Sequence, residues 1–292
     1  MRRRGFCVAA AIAAAVSATA CDKATETTGP SPLPSPNSAI VYTALGASDV
    51  IGFGGSAFCA PWEDCSSGRG YVQVAGRELR ARGHTVTVNP LGLPGAVLSS
   101  RIITLGRQYG RSDLLANLID QEAPFVQPTT TLVTIFSGGN DVNVIMSALA
   151  RGAGGADRTG FINAQVAAFS QEFSTLMQVV RQKAPSARIV VVNLPNMGGI
   201  PMLANAPRDN KLAAQMLSVG ITANVVNPLT ASGVLVIDLM CDARAYQPST
   251  YSSDGFHPND LGYSWMAGEV VAATTTAYRP PSASCTHMSL VQ

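Results

Sequence analysis

Histidine is nearly missing from this chain, with three in 292 residues, so any step that needs an imidazole has few places to find one. Charge is scarce too. Asp, Glu, Lys and Arg make up 13% against an apolar fraction of 47%, a balance that argues against disorder away from the ends. Neither sign dominates: the formal charge is +2, falling to −1 without the three arginines of the first twenty residues, and the electrostatic footprint of a nucleic-acid binder is absent. No Cys-x-x-Cys pair occurs, which speaks against a zinc or redox site. A phosphate loop is also missing, which excludes a nucleotide binder of the flavodoxin type. No internal repeat or second domain is visible, and a chain of this length can bury roughly three quarters of its unfolded surface.

What is present begins with an export pattern. Residues 1–20 carry Arg2, Arg3 and Arg4, an alanine-rich apolar stretch from Gly5, and small residues Ala18, Thr19 and Ala20 before Cys21. The apolar stretch is too short for a comfortable membrane span. Two processing readings stand side by side: ordinary cleavage after Ala20, or a bacterial lipobox that leaves Cys21 lipidated, although Ala18 replaces the usual large aliphatic residue. Residues 21–39 are rich in Pro, Ser and Thr and read as a tether. The expected location is the bacterial cell envelope, by a lipid anchor, or the periplasm or medium. Membrane contact is expected only through that anchor.

Cysteine use fits export. Cys59, Cys65, Cys241 and Cys285 remain in the folded part, an even number that suggests two disulfides. Three pairings are open, and the expected one is Cys59–Cys65 with Cys241–Cys285; the alternative is four buried thiols.

Along residues 40–278, apolar β-prone runs alternate with helical periodicity. Strands are expected at Val41–Leu45, His84–Val88, Thr130–Phe136, Ile189–Leu194 and Gly233–Leu239. Helices are expected at Gly70–Arg82, in a region whose clearest part is Asp113–Ile119, at Phe161–Ala184, Pro207–Val226 and Asp260–Tyr278. This alternation argues for a five-stranded parallel sheet covered on both faces. Residues 279–292 read as a C-terminal tail.

Three segments follow strands and carry chemistry. Val41–Leu45 stops at Gly46, two residues before Ser48; Ser137-Gly138-Gly139-Asn140-Asp141 follows the third strand; Ser253-Asp254-Gly255-Phe256-His257 follows the fifth. The carboxyl edge of an open α/β sheet is where ligands bind. A serine hydroxyl needs a base, and His84 opens a strand at the opposite edge while His287 lies in the tail, which leaves His257. Asp254 can curl back to hold the other ring nitrogen. Each residue also has a plain structural reading: Ser48 as a helix cap, Asp254 to His257 as an ordinary turn, Asn140 as the cap of a helix over 141–149. The loop Pro195–Leu203, with Met197 and Ile200, could line an acyl pocket, and Val144, Ile145 and Met146 another wall, or both could simply be core.

The order Ser48, Gly95, Asn140, then Asp254-x-x-His257 resembles the SGNH hydrolases, also called GDSL-type esterases and lipases, over residues 40–278. One block departs from the family: Ala47 stands where Gly-Asp-Ser would have its aspartate. The absence of Gly-x-Ser-x-Gly around Ser48 sets the chain apart from the α/β-hydrolase fold. The resemblance implies a three-layer α/β/α flavodoxin-like fold and a serine ester hydrolase with a Ser48–His257–Asp254 triad. It also implies an oxyanion hole from the backbone N–H groups of Ser48 and Gly95 and the Asn140 amide, with Gly92 as a rival for Gly95. No metal or organic cofactor is called for. The substrates implied are small-molecule, lipid or glycan esters, with transfer of the acyl group to an alcohol, or a binding protein with a degenerate site, as alternatives. The sequence is silent on oligomeric state.

Overall fold

The computed structural model describes residues 31–113 and 116–292. The export signal and Cys21 lie outside the described residues, as do Leu114 and Leu115. The elements in order are β1 (Ala39–Gly46), α1 (Ser48–Ile51), α2 (Tyr71–Ala81), β2 (Thr85–Pro90), α3 (Ser100–Gln108), α4 (Leu118–Gln121), β3 (Leu132–Phe136), α5 (Gly139–Ala150), α6 (Arg158–Lys183), β4 (Arg188–Val192), α7 (Arg208–Ile221), β5 (Leu235–Ile237) and α8 (Asp260–Ala272).

All five strands are parallel, in the order β2-β1-β3-β4-β5. Successive side chains of a strand point to opposite faces, and both faces are apolar. Ile40, Tyr42 and Ala44 of β1, with Val190 and Val192 of β4, pack under α2 and α8. Leu45, Ile189 and Val191 pack instead with residues of α3, α5, α6 and α7. The result is the expected three-layer α/β/α arrangement.

The chain leaves β1 toward β2 on one side and later returns to β3 on the other, so the order of strands reverses between β1 and β3. That reversal opens a crevice at the carboxyl edge. Register sharpens the point: Gly46 pairs with Phe136, Phe136 with Val192, and Val192 with Ile237. Four strands therefore end level, and the segments that follow them start from a common line.

Several boundaries differ from expectation. The longer of the two helices between β2 and β3 is α3, upstream of Asp113–Ile119. Asn117 instead bridges Val97 and caps the short α4, its side-chain oxygen accepting from the Asp120 N–H at 2.9 Å. Side-chain capping competed with helix continuation and won. The last helix stops at Ala272, where the Thr274 and Thr275 hydroxyls donate to the carbonyls of Val271 and Ala272. The stretch to Val226 leaves regular helix after Ile221, where the Thr222 hydroxyl donates to Leu194 O at 3.1 Å.

Both expected disulfides are present, Cys59–Cys65 and Cys241–Cys285. The residues read as a tail fold back against α7. Gln215 brackets Val291, accepting from its N–H at 2.9 Å and donating to its carbonyl at 3.0 Å.

Candidate active site

Gly46 closes β1 where only glycine fits, because a Cβ there would meet Phe136 O at 2.6 Å and Val50 Cγ2 at 2.8 Å. The chain then turns into α1, and Ser48 is its first residue, 6% exposed. The Ser48 Oγ lies 2.8 Å from His257 Nε2, across 209 residues of sequence. On the other side of the ring, His257 Nδ1 lies 2.6 Å from Asp254 Oδ2. Hydroxyl, imidazole and carboxylate thus form one continuous chain of hydrogen bonds.

Local chemistry builds the Asp254–His257 turn. Asp254 Oδ1 accepts from the Ser252 hydroxyl and from the N–H groups of Phe256 and His257, all within 2.9 Å. The base of the loop is closed by a Tyr251–Pro258 bridge and by the Ser252 N–H donating to His257 O. Burial raises the Asp254 pKa, but these donors and the His257 ring outweigh it and leave the carboxyl at about 2. Asp254 is therefore ionised throughout the neutral range, as a partner for an imidazolium must be. The rings of Phe53 and Phe256 lie steeply inclined to that of His257, at 65° and 81°, each with centroids 4.8 Å apart.

Asn140 lies in the first turn of α5, whose cap is Gly138, so it is not the cap of that helix. Its Nδ2 donates to Ala96 O at 3.0 Å, which sets the amide beside the loop carrying Gly95. A primary amide has two hydrogens, and this bond uses one. The two glycines of that loop behave differently. Gly92 is wedged against α1, where a Cβ would lie 2.4 Å from Val50 Cβ and 2.7 Å from Ala47 O. Gly95 has φ +74° and nothing within 4 Å of a Cβ position, so its constraint is backbone conformation and it borders open space.

A cavity of about 60 Å³ lies along the carboxyl edge, with Ala47, Ala96, Asn140, Met197, Ile200 and Phe256 in its wall. On this measure a water needs about 10–15 Å³, so several fit. Met197 and Ile200 are part of that wall. Ile145 is not: it is 1% exposed and part of the core with Val144, because that face of α5 packs inward. The wall expected there is supplied by Phe136, Tyr251 and Trp265. Two cavity residues, Ser137 and Trp265, carry a buried polar atom with no hydrogen-bond partner among the described residues.

Two buried acids went unread in the sequence. Asp141 accepts from the Leu98 N–H with both oxygens, at 3.1 and 3.2 Å, and burial pushes it up to about 7. Glu122 accepts from Gly46 and Leu93, and burial pushes it up to about 8. In the sequence Asp141 stands at the end of the Ser137–Asp141 segment with no role of its own, and Glu122, in the polar run Asp120-Gln121-Glu122, reads as a solvated surface acid. No cluster of His, Cys, Asp or Glu suited to a metal ion occurs among the described residues.

A parallel sheet in this order, with a serine, a histidine and a carboxylate aligned at its switch point, is the frame of an SGNH-type hydrolase. The chain matches the GDSL-like lipase/acylhydrolase family over residues 44–265 and belongs to it. Its class of activity is ester hydrolysis. Among solved structures it is similar to the lipase Lip_vut3 from a goat rumen metagenome, at 19% identity, covering 80% of this chain and 97% of that one, with a TM-score of 0.54. It is also similar to an extracellular lipase from Streptomyces rimosus, at 17% identity, 81% and 100% coverage, and a TM-score of 0.52. A phospholipase A1 from Streptomyces albidoflavus follows at 19% identity, 81% and 100% coverage, and a TM-score of 0.50. These likenesses are of fold. Among curated proteins, none matches the chain in sequence.

Proposed function

We propose that this protein is an exported serine ester hydrolase that cleaves carboxylic acyl esters through an acyl-enzyme on Ser48. The observation that carries the reading is the unbroken hydrogen-bond chain Ser48 Oγ–His257 Nε2 and His257 Nδ1–Asp254 Oδ2, at 2.8 and 2.6 Å. A hydroxyl so placed can pass its proton to the imidazole as its oxygen attacks a carbonyl carbon. The carbonyl oxygen becomes an oxyanion, met by the backbone N–H groups of Ser48 and Gly95 and the unused hydrogen of the Asn140 amide. Collapse expels the alcohol, which takes the proton from His257. Water then gives its proton to His257 and attacks the acyl carbon, and the acid leaves as Ser48 recovers its hydrogen.

The small, largely apolar cavity beside Met197 and Ile200 suits a short acyl group, as in short-chain, lipid or acetylated-glycan esters. Two disulfides and the N-terminal export pattern support action outside the cytoplasm. The folded unit runs from β1 to the C-terminal residues that pack on α7, held after a tether at the envelope or released. The complete relay argues against a degenerate binding site.

A fluorophosphonate probe tests the reading. Wild-type protein is expected to be labelled at one serine and Ser48→Ala to be blank. Labelling that survives the substitution, or folded wild type that never labels, refutes it.

A further inference from the structure

Glu122 lies between the two segments that the proposed reaction needs in fixed register. It follows α4 and is 0% exposed, with Oε2 accepting from the Gly46 N–H at 2.9 Å and Oε1 from the Leu93 N–H at 3.3 Å. Gly46 is two residues before Ser48, and Leu93 is two residues before Gly95. Among the described residues no ion pair includes Glu122. Burying an acid without a counter-ion is unfavourable in itself. What this acid supplies is geometric: a carboxyl group offers acceptors on both oxygens, so one side chain can hold two N–H groups that belong to different loops.

We propose that Glu122 is a positioning residue that staples the turn carrying Ser48 to the loop carrying Gly95, so that their backbone N–H groups converge on one oxyanion. This rests on the ester-hydrolase reading above and deepens it. Oxyanion donors accelerate a reaction only when they are in place before charge develops. The neighbouring contacts divide the work. Leu91 N–H donates to Ala44 O at 2.8 Å and joins the two segments at the sheet. Asp141 holds Leu98 beyond Gly95, and the Asn140 amide holds Ala96, but both acceptors and donors there belong to the loop and α5 alone. Among the described residues, the bridge through Glu122 is the side-chain hydrogen bonding past the sheet that spans from the serine turn to the glycine loop. Ala47, beside the serine, has no polar side chain that could do so.

Glu122→Gln tests the staple. Its side chain has nearly the same size but one acceptor oxygen, and its amide NH2 faces the second N–H donor. A misplacement of about 1 Å costs on the order of 100-fold, so kcat on p-nitrophenyl acetate is expected to fall roughly 10- to 100-fold. KM should stay within about 3-fold and fluorophosphonate labelling should slow in parallel, in protein whose circular dichroism and gel-filtration volume match wild type. Glu122→Asp, with both acceptors on a shorter arm, should give an intermediate kcat. A folded Glu122→Gln protein with kcat within about 2-fold of wild type overturns the proposal, even if it melts earlier, because that is the signature of a purely structural acid. If neither variant folds, Glu122 is a folding residue and the proposal is also overturned. Wild type that shows no Ser48-dependent labelling ends the hydrolase reading itself, a result distinct from any outcome at position 122.

Discussion

Replacing Asn140 by alanine separates a side chain that stabilises a fold from one that stabilises a charge. Among the described residues the amide donates once, to Ala96 O at 3.0 Å. Losing that bond should cost about 1 kcal/mol. Alanine is a good helix former and recovers some tenths of that in the first turn of α5. For a domain of this size the net change moves the melting temperature by about 2–4 °C at most. The chemical effect should be far larger. Removal of one oxyanion donor typically lowers kcat by about 10²–10³, or roughly 3–4 kcal/mol of barrier. Steady-state hydrolysis of p-nitrophenyl acetate beside a thermal melt reads both quantities on one preparation. A protein that melts near wild type while kcat drops by two decades supports the assignment. A kcat within about 3-fold of wild type refutes it, and leaves Asn140 a loop anchor.

Stability should depend on pH through two acids that bind their protons more tightly when folded. Burial pushes Glu122 up to about 8 and Asp141 up to about 7, so the stability linked to their protons is complete below the usual carboxylate range and is lost as pH rises toward 8. The urea midpoint is expected to fall between about pH 5 and pH 9, and to fall less in Asp141→Asn, which keeps an acceptor for Leu98; a midpoint that rises over that range contradicts this. Replacing Cys59 and Cys65 by serine opens a separation of 6 residues and should cost about 2 kcal/mol. The same change at Cys241 and Cys285, 44 residues apart, should cost about 4 kcal/mol and lower the melting temperature more; equal shifts would count against a loop-entropy origin.

The meeting of Ser48, His257 and Asp254 was legible because its signals are local. An aspartate three residues before a histidine needs only a turn to meet it, and a serine two residues past a strand-ending glycine must sit at the sheet edge. The pairing of cysteines was legible for a similar reason, since a separation of 6 residues favours the shorter loop. What could not be read was decided by packing between distant segments. Ile145 looked like a wall of the pocket from its place after Asn140, but the face of α5 that meets α3 and α7 claimed it for the core. The periodicity of Asp113–Ile119 lost to the Asn117 cap and its bridge to Val97, a contact between residues twenty apart. Glu122 announced nothing, because its meaning lies in two N–H groups contributed by other elements.

The level ending of the strands has a practical meaning for anyone who wishes to change what this protein accepts. With Gly46 opposite Phe136, the spacing between the turn carrying Ser48 and the helix carrying Asn140 is set by a β-ladder. Sliding that ladder by one residue would shift it by about 3.3 Å and invert every side chain on it. One stretch of the cavity wall comes from elsewhere, from Leu194, Pro195, Met197 and Ile200 in the connection that follows β4. That connection carries none of Ser48, Asn140, Asp254 and His257, so it can be rewritten, lengthened or grafted while those groups keep their spacing.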